Sequence, residues 1–181
     1  MRIEETALGS VLVITPDVYR DSRGAFLETW NLRVMAEAGQ PSTWVQDNFS
    51  LSKKNVLRGI HYQIGQPQGK LVRVTHGAAF DVAVDLRRSS ATCGKHIAVE
   101  LDGESGRTLW IPAGFGHAFL ALTEVVGFAY KVTDYYSPES ERTIVWNDPD
   151  LAIAWPVGEK EAIVSAKDQK GAPFREAQVF A

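Results

Sequence analysis

His61 is the residue whose neighbours most strongly indicate chemistry. It lies in the segment Arg58-Gly59-Ile60-His61-Tyr62-Gln63, where polar side chains interrupt an apolar stretch. An isolated histidine in a strand is more often structural, but burying an imidazole, a guanidinium and an amide together without a ligand is costly. An imidazole in this setting is suited to proton transfer.

Other residues offer a second imidazole, hydroxyls or positive charge. His117 follows a turn rich in glycine and proline at 112–116, where loops commonly deliver functional groups, and Tyr130 lies near the end of an apolar segment. Each also has a structural interpretation, as the end of a loop or as packing. The residues that could hold an anion are Arg23, Arg58, Lys70, Arg73 and Lys167. With His61, this set is suited to proton transfer on an anionic ligand.

Several function classes are disfavoured. No glycine-rich phosphate loop precedes a helix, no Gly-x-Ser-x-Gly segment occurs, and the single cysteine, Cys93, has no context typical of a nucleophile. The four histidines include no His-x-His or His-x-x-x-His pair, which weakens the case for a metal site. We therefore expect no metal and no Walker or Rossmann nucleotide site.

Charge and hydropathy indicate the environment of the protein. The 181 residues carry 19 basic and 22 acidic side chains, a formal net charge of −3, so we expect neither a nucleic acid nor a membrane as partner. No apolar run approaches the ~18 residues of a membrane span, no signal segment is recognisable, and a lone cysteine cannot form an intrachain disulfide. These features predict a cytoplasmic protein.

The elements that position these residues are predicted to be short strands. Segments rich in β-branched and aromatic residues alternate with turn residues, and residues 32–38, closed by Gly39 and Pro41, have the character of a helix. In the segment 80–86, apolar residues alternate with Asp81 and Asp85, which predicts a half-buried strand with its carboxylates on one face. The predicted strands are 11–15, 44–48, 56–63, 70–75, 80–86, 96–101, 108–111, 117–122 and 126–133.

Many short antiparallel strands in a chain of this length predict an all-β fold. We expect one domain over residues 1–181, built as a jelly-roll barrel or sandwich of about eight strands with few short helices. The segment from residue 157 onwards is more polar. Its composition favours a solvated end over a segment that folds back across the barrel mouth.

Several motifs follow one another along the chain. They are DSRGAFLE at 21–28, QDNFS at 46–50, NVLRGIHYQ at 55–63, GKLVRV at 69–74, FDVAVDLR at 80–87, LWIP at 109–112, GF at 114–115 with His117, YK at 130–131, DYY at 134–136, WNDP at 146–149 and SAKD at 165–168. In this order and spacing they resemble the dTDP-4-dehydrorhamnose 3,5-epimerases, which are cupin-like jelly-roll enzymes of nucleotide-sugar metabolism. The resemblance extends over nearly the whole chain.

The resemblance implies a reaction that needs neither a metal nor a redox cofactor. Its substrate is dTDP-4-dehydro-6-deoxy-D-glucose, a dTDP-linked 4-keto-6-deoxyhexose, and its product is dTDP-4-dehydro-L-rhamnose. The hydrogens at C3 and C5 both flank the C4 ketone, so removal of either gives an enolate, and return of a proton to the opposite face inverts that carbon. The site needs a base, an acid on the other face, and positive or hydrogen-bonding groups near the C4 oxygen.

The resemblance also implies catalytic roles. His61 matches the general base and Asp168 the carboxylate that pairs with it, which places the C-terminal segment, about 157–181, near the barrel mouth. Tyr130 matches the acid for the opposite face. A phenol with an ordinary pKa of about 10 is protonated at neutral pH and can donate to the enolate. Lys70 matches the group that stabilises the enolate oxygen.

Binding positions and a partner are implied in the same way. Arg58 and His117 match groups that hold the sugar or diphosphate, Phe26 stacks on the thymine and Glu28 hydrogen-bonds to the nucleotide. In this family the N-terminal strands cross to the partner subunit, so we expect a C2 homodimer in which Arg23, Phe26 and Glu28 serve the same or the neighbouring site. The other implied ligand contacts are Lys70, Gln46, Asn48, Tyr136, Glu141 and Lys167.

The spacing of Arg58 and His61 requires an irregular strand. On a regular strand, residues three apart face opposite sides of the sheet, yet both side chains are expected in one pocket. A bulge at Gly59 reconciles the two positions.

Three alternatives remain open from the sequence. Relatives that invert only C3 or only C5 use the same dyad and differ in how the sugar is seated. A metal-dependent cupin, such as a dioxygenase, is disfavoured by the missing histidine pair. A non-catalytic module that binds sugar nucleotides is the third.

Overall fold

The computed structural model describes residues 1–41 and 43–181, most of which lie in short strands. The one α-helix of this part of the chain, α1, spans Leu32–Glu37, and 3₁₀ helices span Asp168–Lys170 and Phe174–Glu176. The strands are β1 Arg2–Glu5, β2 Leu12–Thr15, β3 Val18–Asp21, β4 Gly24–Leu27, β5 Gln46–Lys53, β6 Val56–Gln63, β7 Lys70–His76, β8 Ala78–Asp85, β9 His96–Asp102, β10 Thr108–Ile111, β11 Phe115–Ala121, β12 Val125–Val132, β13 Glu141–Thr143 and β14 Ile163–Val164.

Two sheets form the body of the fold. The first has the strand order β1-β2-β10-β7-β12-β5, and the second has the order β13-β6-β11-β8-β9. All neighbours in these two orders are antiparallel, and β14 adds to β6 in parallel. The predicted all-β, jelly-roll class is confirmed. The helix predicted at 32–38 is also present, and Asn31 caps its N-terminus.

The hydrophobic core lies between the two sheets. Val72 and Phe128 of the first sheet pack in one cluster with Ala83 and Phe119 of the second. The rings of Phe119 and Phe128 stack with centroids 4.0 Å apart and planes 3° from parallel. This pair joins the two layers at the middle of the sandwich, because β11 carries one ring and β12 the other.

The C-terminal segment covers the outer face of the second sheet. Ile60, Val82 and Val84 present apolar side chains there, and they share a cluster with the partly buried Phe174 and Phe180. The expectation of a solvated end, drawn from composition alone, is therefore wrong. The segment is polar on average, but its few large apolar residues are the ones that bury this face.

Strand β8 is buried on both faces. Asp81 and Asp85 have no exposed surface, so the predicted half-buried strand is wrong in that respect. The carboxylates point between the sheets, on the same side as Ala79 and Ala83, while Val82 and Val84 lie under the C-terminal segment. Period-two alternation identifies two faces but does not say that the polar one meets solvent.

Strand β6 contains the predicted bulge. His61 lies opposite His117 of β11, but Arg58 lies opposite Phe119, so three residue steps on β6 match two on β11. Gly59 at this point has a φ of +124°, a conformation that favours glycine. The extra residue turns the strand and lets Arg58 and His61 reach the same side.

The hairpin of β3 and β4 lies apart from both sheets. Its two strands pair only with each other among the described elements. The large side chains of Tyr19 and Phe26 are mostly exposed. The hairpin therefore presents an unpartnered apolar surface.

The described part of the chain contains no helix with the length and apolar character that a bilayer crossing requires. Its longest helix, α1, has 6 residues.

Replacing Gly59 by alanine is expected to destabilise the fold. An added Cβ would lie 2.6 Å from both the Ala118 Cα and the His117 carbonyl oxygen, and the positive φ adds backbone strain. We expect the free energy of unfolding to fall by about 2–4 kcal/mol, measured by urea denaturation. In the control Gly158→Ala, the added Cβ meets Glu161 at an ordinary 3.5 Å. Equal stability of the two variants would contradict a steric requirement at the bulge.

Candidate active site

One cavity between the sheets gathers most of the predicted residues. Its volume is about 300 Å³. Strands β5, β7 and β12 supply one wall, strands β6, β11 and β13 the other, and the stacked Phe119 and Phe128 line it as well. The lining residues are Asn48, Phe49, Ser50, Arg58, His61, Tyr62, Gln63, Gln68, Lys70, His117, Phe119, Phe128, Tyr130, Tyr136 and Glu141.

His61 is hydrogen-bonded to Asp168 of the C-terminal segment. The distance between His61 Nε2 and Asp168 Oδ1 is 2.7 Å. The imidazole remains about a third exposed, while the carboxylate is almost fully buried. A carboxylate in this position fixes the imidazole orientation and stabilises the imidazolium that forms when the ring takes a proton.

The structure keeps Asp168 ionised. Burial acts to raise the pKa of its carboxyl, but hydrogen bonding to His61, the His61 charge and the Gly59 N–H together lower it below the ordinary value. The Gly59 N–H donates to Asp168 Oδ2 at 3.4 Å, and the Asp168 N–H donates to Ser165 Oγ at 3.0 Å. The bulge and the C-terminal turn thus both fix this carboxylate.

Tyr130 approaches the cavity from the other sheet. It lies on β12 opposite Asn48 of β5, so its phenol and the His61 imidazole come from opposite walls. Burial raises the pKa of Tyr130, the Arg58 charge opposes that effect, and Glu141 adds to it. The phenol therefore keeps its proton at neutral pH, as a proton donor must.

Lys70 is a buried cation in the same cavity. Its Nζ donates to the His61 carbonyl oxygen at 3.3 Å. Burial lowers the pKa of this amine to about 8, although the charges of Asp81 and Glu141 act to raise it. The amine is still largely protonated at neutral pH, so the cavity contains a desolvated positive charge.

His117 forms a second imidazole–carboxylate pair. Its Nε2 lies 2.9 Å from Asp81 Oδ2, and its ring stacks on Phe128 with centroids 5.9 Å apart. His117 and His61 are direct neighbours across β6 and β11. The cavity wall therefore presents two imidazoles side by side, each supported by a different carboxylate.

Arg58, Asn48 and Gln46 form the part of the site nearest β5. The Arg58 Nε donates to Ser52 Oγ at 3.2 Å, and Arg58 and Asn48 both line the cavity. Gln46 does not line it, but its side-chain amide donates to the side-chain Oδ1 of Asn48 at 2.7 Å. Gln46 therefore orients the side chain of Asn48.

Tyr136, Glu141 and Lys167 form a polar group at the cavity rim. The Tyr136 hydroxyl donates to Glu141 Oε2 at 2.8 Å, and Lys167 donates to the same oxygen. Burial acts to raise the pKa of Glu141, but these two donors lower it below its ordinary value. Lys167 reaches the site through Glu141, as Asp168 does through His61.

Three predicted nucleotide contacts lie away from this cavity. Arg23 is bound to Asp21 by an ion pair at 2.6 Å, Phe26 is 71% exposed, and Glu28 accepts from the Asn31 amide. All three belong to the β3–β4 hairpin or follow it directly. The structure does not bring them to this cavity.

The sequence assigns no role to several residues of the site, among them Gln63, whose amide it places beside His61. Gln63 donates to the Gln66 and Tyr135 carbonyl oxygens and fixes the loop beside the cavity. Phe119 and Phe128 were predicted only as strand residues, and nothing in their pattern separates a cavity wall from a core. Asp81 carried a signal, as a carboxylate on an apolar strand, but its partner could not be identified from the sequence.

The described residues place no group of three or more histidine, cysteine, aspartate or glutamate side chains where they could hold a metal ion. The acidic and imidazole groups of the cavity are instead arranged in pairs, His61 with Asp168 and His117 with Asp81.

Comparison with known proteins gives consistent matches along the chain. The family model for dTDP-4-dehydrorhamnose 3,5-epimerase matches residues 5–176. A dTDP-4-dehydrorhamnose 3,5-epimerase from Pseudomonas aeruginosa is 50% identical over 181 residues, which cover 99% of each chain. A dTDP-4-dehydrorhamnose 3-epimerase from Streptomyces niveus is 37% identical over 98% of this chain and 86% of its own.

A solved structure also has a closely similar backbone fold. The dTDP-6-deoxy-D-glucose-3,5-epimerase of Legionella pneumophila, in complex with dTDP-4-keto-L-rhamnose, superposes with a TM-score of 0.94 at 47% identity. The match covers 98% of this chain and 94% of that chain.

Replacing Lys70 by methionine is expected to stabilise the fold at neutral pH. A pKa lowered from 10.5 to about 8 corresponds to roughly 3 kcal/mol. Loss of the hydrogen bond to His61 offsets part of it, so we expect urea denaturation at pH 7 to show a gain of about 1–3 kcal/mol.

The pH dependence of this gain has a defined sign. Below pH 8 the amine is charged in both folded and unfolded chains, so the gain is complete. It shrinks between pH 8 and 10.5, where the folded chain has lost the proton and the unfolded chain has not. The exposed Lys54→Met is the control, with an expected change within about 0.5 kcal/mol. A loss of stability in Lys70→Met at pH 7 would contradict the cost assigned to this charge.

Proposed function

We propose that this protein, a member of the dTDP-4-dehydrorhamnose 3,5-epimerase family, converts dTDP-4-dehydro-6-deoxy-D-glucose to dTDP-4-dehydro-L-rhamnose. The reaction inverts C3 and C5, which both flank the C4 ketone. One observation carries the proposal beyond the family: the His61–Asp168 pair and Tyr130 face one cavity from opposite sheets. Inversion needs this arrangement, since a proton leaves one face of the sugar and another arrives on the opposite face.

His61 is proposed as the base. It takes the proton from the carbon next to the ketone, and the C–H electron pair moves into the enolate. The ring becomes an imidazolium held against the Asp168 carboxylate, 2.7 Å away. Because that carboxylate is ionised and almost fully buried, the ion pair forms in a poorly hydrated setting, where its attraction is stronger than in water.

Tyr130 is proposed as the acid. Its hydroxyl proton passes to the carbon on the face away from His61, which closes the inversion. The raised pKa of Tyr130 keeps the phenol protonated before the step. The resulting tyrosinate and imidazolium return to their starting states by exchange with solvent, so the cycle uses no net proton.

Lys70 is proposed to stabilise the enolate. Its ammonium lies in the cavity and donates to the carbonyl oxygen of His61, so it lies beside the proposed base. Negative charge develops on the C4 oxygen when either hydrogen is removed, and a fixed cation in a dry site lowers the energy of that state. Arg58 and His117, from the adjacent wall, are proposed to hold the sugar and diphosphate.

The proposal extends to the whole chain. Residues 1–181 are proposed as one domain, with the segment 157–181 folded near the cavity mouth. Two contacts support this: Asp168 is hydrogen-bonded to His61, and β14 pairs with β6. The cytoplasmic location stays a prediction from the sequence.

A homodimer with exchanged N-terminal hairpins is proposed as the complete enzyme. The β3–β4 hairpin is exposed and carries Arg23 and Phe26 away from its own cavity. Strand β5 ends the first sheet and presents exposed Phe49 and Leu51 beside Asn48 of the cavity. An open sheet edge and an unpartnered hairpin are complementary surfaces, so the partner's hairpin completes the nucleotide site.

Incubation of the substrate in deuterated water tests the reaction. We expect deuterium at both C3 and C5 with the wild-type protein, read by NMR of the product. Label at one carbon alone would establish a single epimerase, and no label with retained nucleotide binding would establish a binding module. Loss of activity on chelation, with stoichiometric bound metal, would establish a metal-dependent cupin.

Variants separate the base from the acid in the same experiment. Asp168→Asn is expected to slow exchange by roughly 10²–10⁴-fold. Tyr130→Phe is expected to keep exchange, since His61 returns deuterons to the original face, while inversion falls by roughly 10²–10⁴-fold. Tyr135→Phe is the matched control, because its side chain is exposed and lies outside the cavity lining. Wild-type inversion by Tyr130→Phe would remove Tyr130 as the acid.

Complementation tests the exchanged hairpin. His61→Ala and the double variant Arg23→Ala/Phe26→Ala are each expected to have little activity. When the two variants are co-expressed, half of the dimers are mixed. Each mixed dimer has one intact site if the hairpin of one chain completes the site of the other. We expect recovery of about a quarter of wild-type activity, with a dimer by sedimentation. A monomer, or no recovery despite mixed dimers, would contradict the exchange.

A further inference from the structure

A buried carboxylate behind the cavity has no explanation in packing. Asp81 lies on β8 between β11 and β9 and has no exposed surface. It is absent from the cavity lining, so it does not contact the space that the substrate occupies. Burying an ionised carboxylate costs several kcal/mol unless partners compensate.

The partners of Asp81 are incomplete. Its Oδ2 bonds to His117 Nε2 at 2.9 Å, while its buried Oδ1 accepts no hydrogen bond from any residue described. Asp85, four residues further along β8 and on the same face, is fully satisfied by Arg87, Ser90 and Thr92. The same strand therefore contains a structural carboxylate with complete partners and a second carboxylate without them.

The charge of Asp81 also acts on Lys70, the buried cation of the cavity. Lys70 is buried, and the charges that act on it come from Asp81 on β8 and Glu141 on β13. Its Nζ bonds to the His61 carbonyl on β6. His117 on β11 and Tyr130 on β12 line the same cavity.

We infer that Asp81 is a positioning residue for the epimerisation, which orients His117 through its hydrogen-bonded oxygen and keeps Lys70 positively charged through its own negative charge. This inference rests on the proposed function, because it assigns Asp81 a part in that reaction. With an ionised Asp81 as acceptor, the proton of His117 lies on Nε2, and Nδ1 is the nitrogen left for the sugar. With Asp81 neutralised, less of Lys70 is charged when the enolate forms.

Asp81→Asn tests the effect on the reaction. The basic limb of the profile of kcat against pH is expected to move to lower pH. In this variant only the charge of Glu141 still stabilises the Lys70 ammonium, so Lys70 loses its proton at a lower pH. At pH 8 we expect kcat to fall about ten-fold or more, with KM changed less. Asp85→Asn is the matched control, a buried carboxylate of the same strand whose partners lie outside the cavity. An unchanged basic limb in Asp81→Asn would overturn the inference.

Two measurements do not depend on activity. The rate at which the Lys70 amine reacts in reductive methylation, followed by mass spectrometry across pH, is expected to rise near neutral pH in Asp81→Asn and not in Asp85→Asn. In the wild-type protein, ¹⁵N NMR of the imidazoles is expected to place the His117 proton on Nε2. This second measurement needs no variant, so it tests the orientation of His117 by Asp81 even if Asp81→Asn does not fold.

The outcomes separate this inference from the function on which it rests. A His117 proton found on Nδ1 alone, or identical Lys70 titration in Asp81→Asn and wild type, would overturn the role of Asp81 whatever the reaction. Absence of deuterium exchange by the wild-type protein would instead overturn the epimerase, and the amine and imidazole measurements would still report on the pair.

Discussion

The hydrogen bond between His61 and Asp168 is the interaction on which the site depends. It joins residues 107 positions apart, so the C-terminal segment must return to the second sheet before the pair can exist. Strand β14 on β6 and the cluster around Phe180 hold that segment in place. The second oxygen of Asp168 accepts from the Gly59 N–H, and Gly59 is the bulge that turns His61 into the cavity. His61, its carboxylate partner and the irregular strand are therefore one structural unit.

Much of the fold was predictable, because each main strand carries its own pattern of apolar residues and turns. Strand β6 was predicted with its observed bounds, whereas β1, β3, β4, β13 and β14 were not predicted. Those five have two to four residues, and pairing with other segments holds them in place. The burial of Asp81 was also missed, since its partner His117 lies 36 positions away. Family resemblance, and not composition, supplied Asp168 as the partner of His61.

The separation of the two layers decides what the cavity can do to a sugar. His61 and His117 are carried by the second sheet, and Lys70 and Tyr130 by the first. Packed sheets lie about 10 Å apart, and the Phe119–Phe128 stack ties these two together beside the cavity. In the proposed reaction the pyranose ring lies between these two walls, so each face of the ring meets a different set of groups. The stereochemistry of the reaction is in this sense a property of the sandwich.

The interior is also divided along the strands. Strand β7 begins at Lys70 and continues to the buried Val74, while its antiparallel neighbour β12 runs from the buried Val126 towards Tyr130. In the second sheet, β11 passes from His117 to Ala121. Each strand thus has a polar half at the cavity and an apolar half at the other end, and antiparallel pairing brings like halves together. Because the apolar half buries its side chains without polar cost, it provides the stability that lets the other half keep charges such as Lys70 desolvated. A barrel with a uniformly apolar interior would have no place where the His61 imidazole, the protonated Tyr130 phenol and the Lys70 cation meet one ligand.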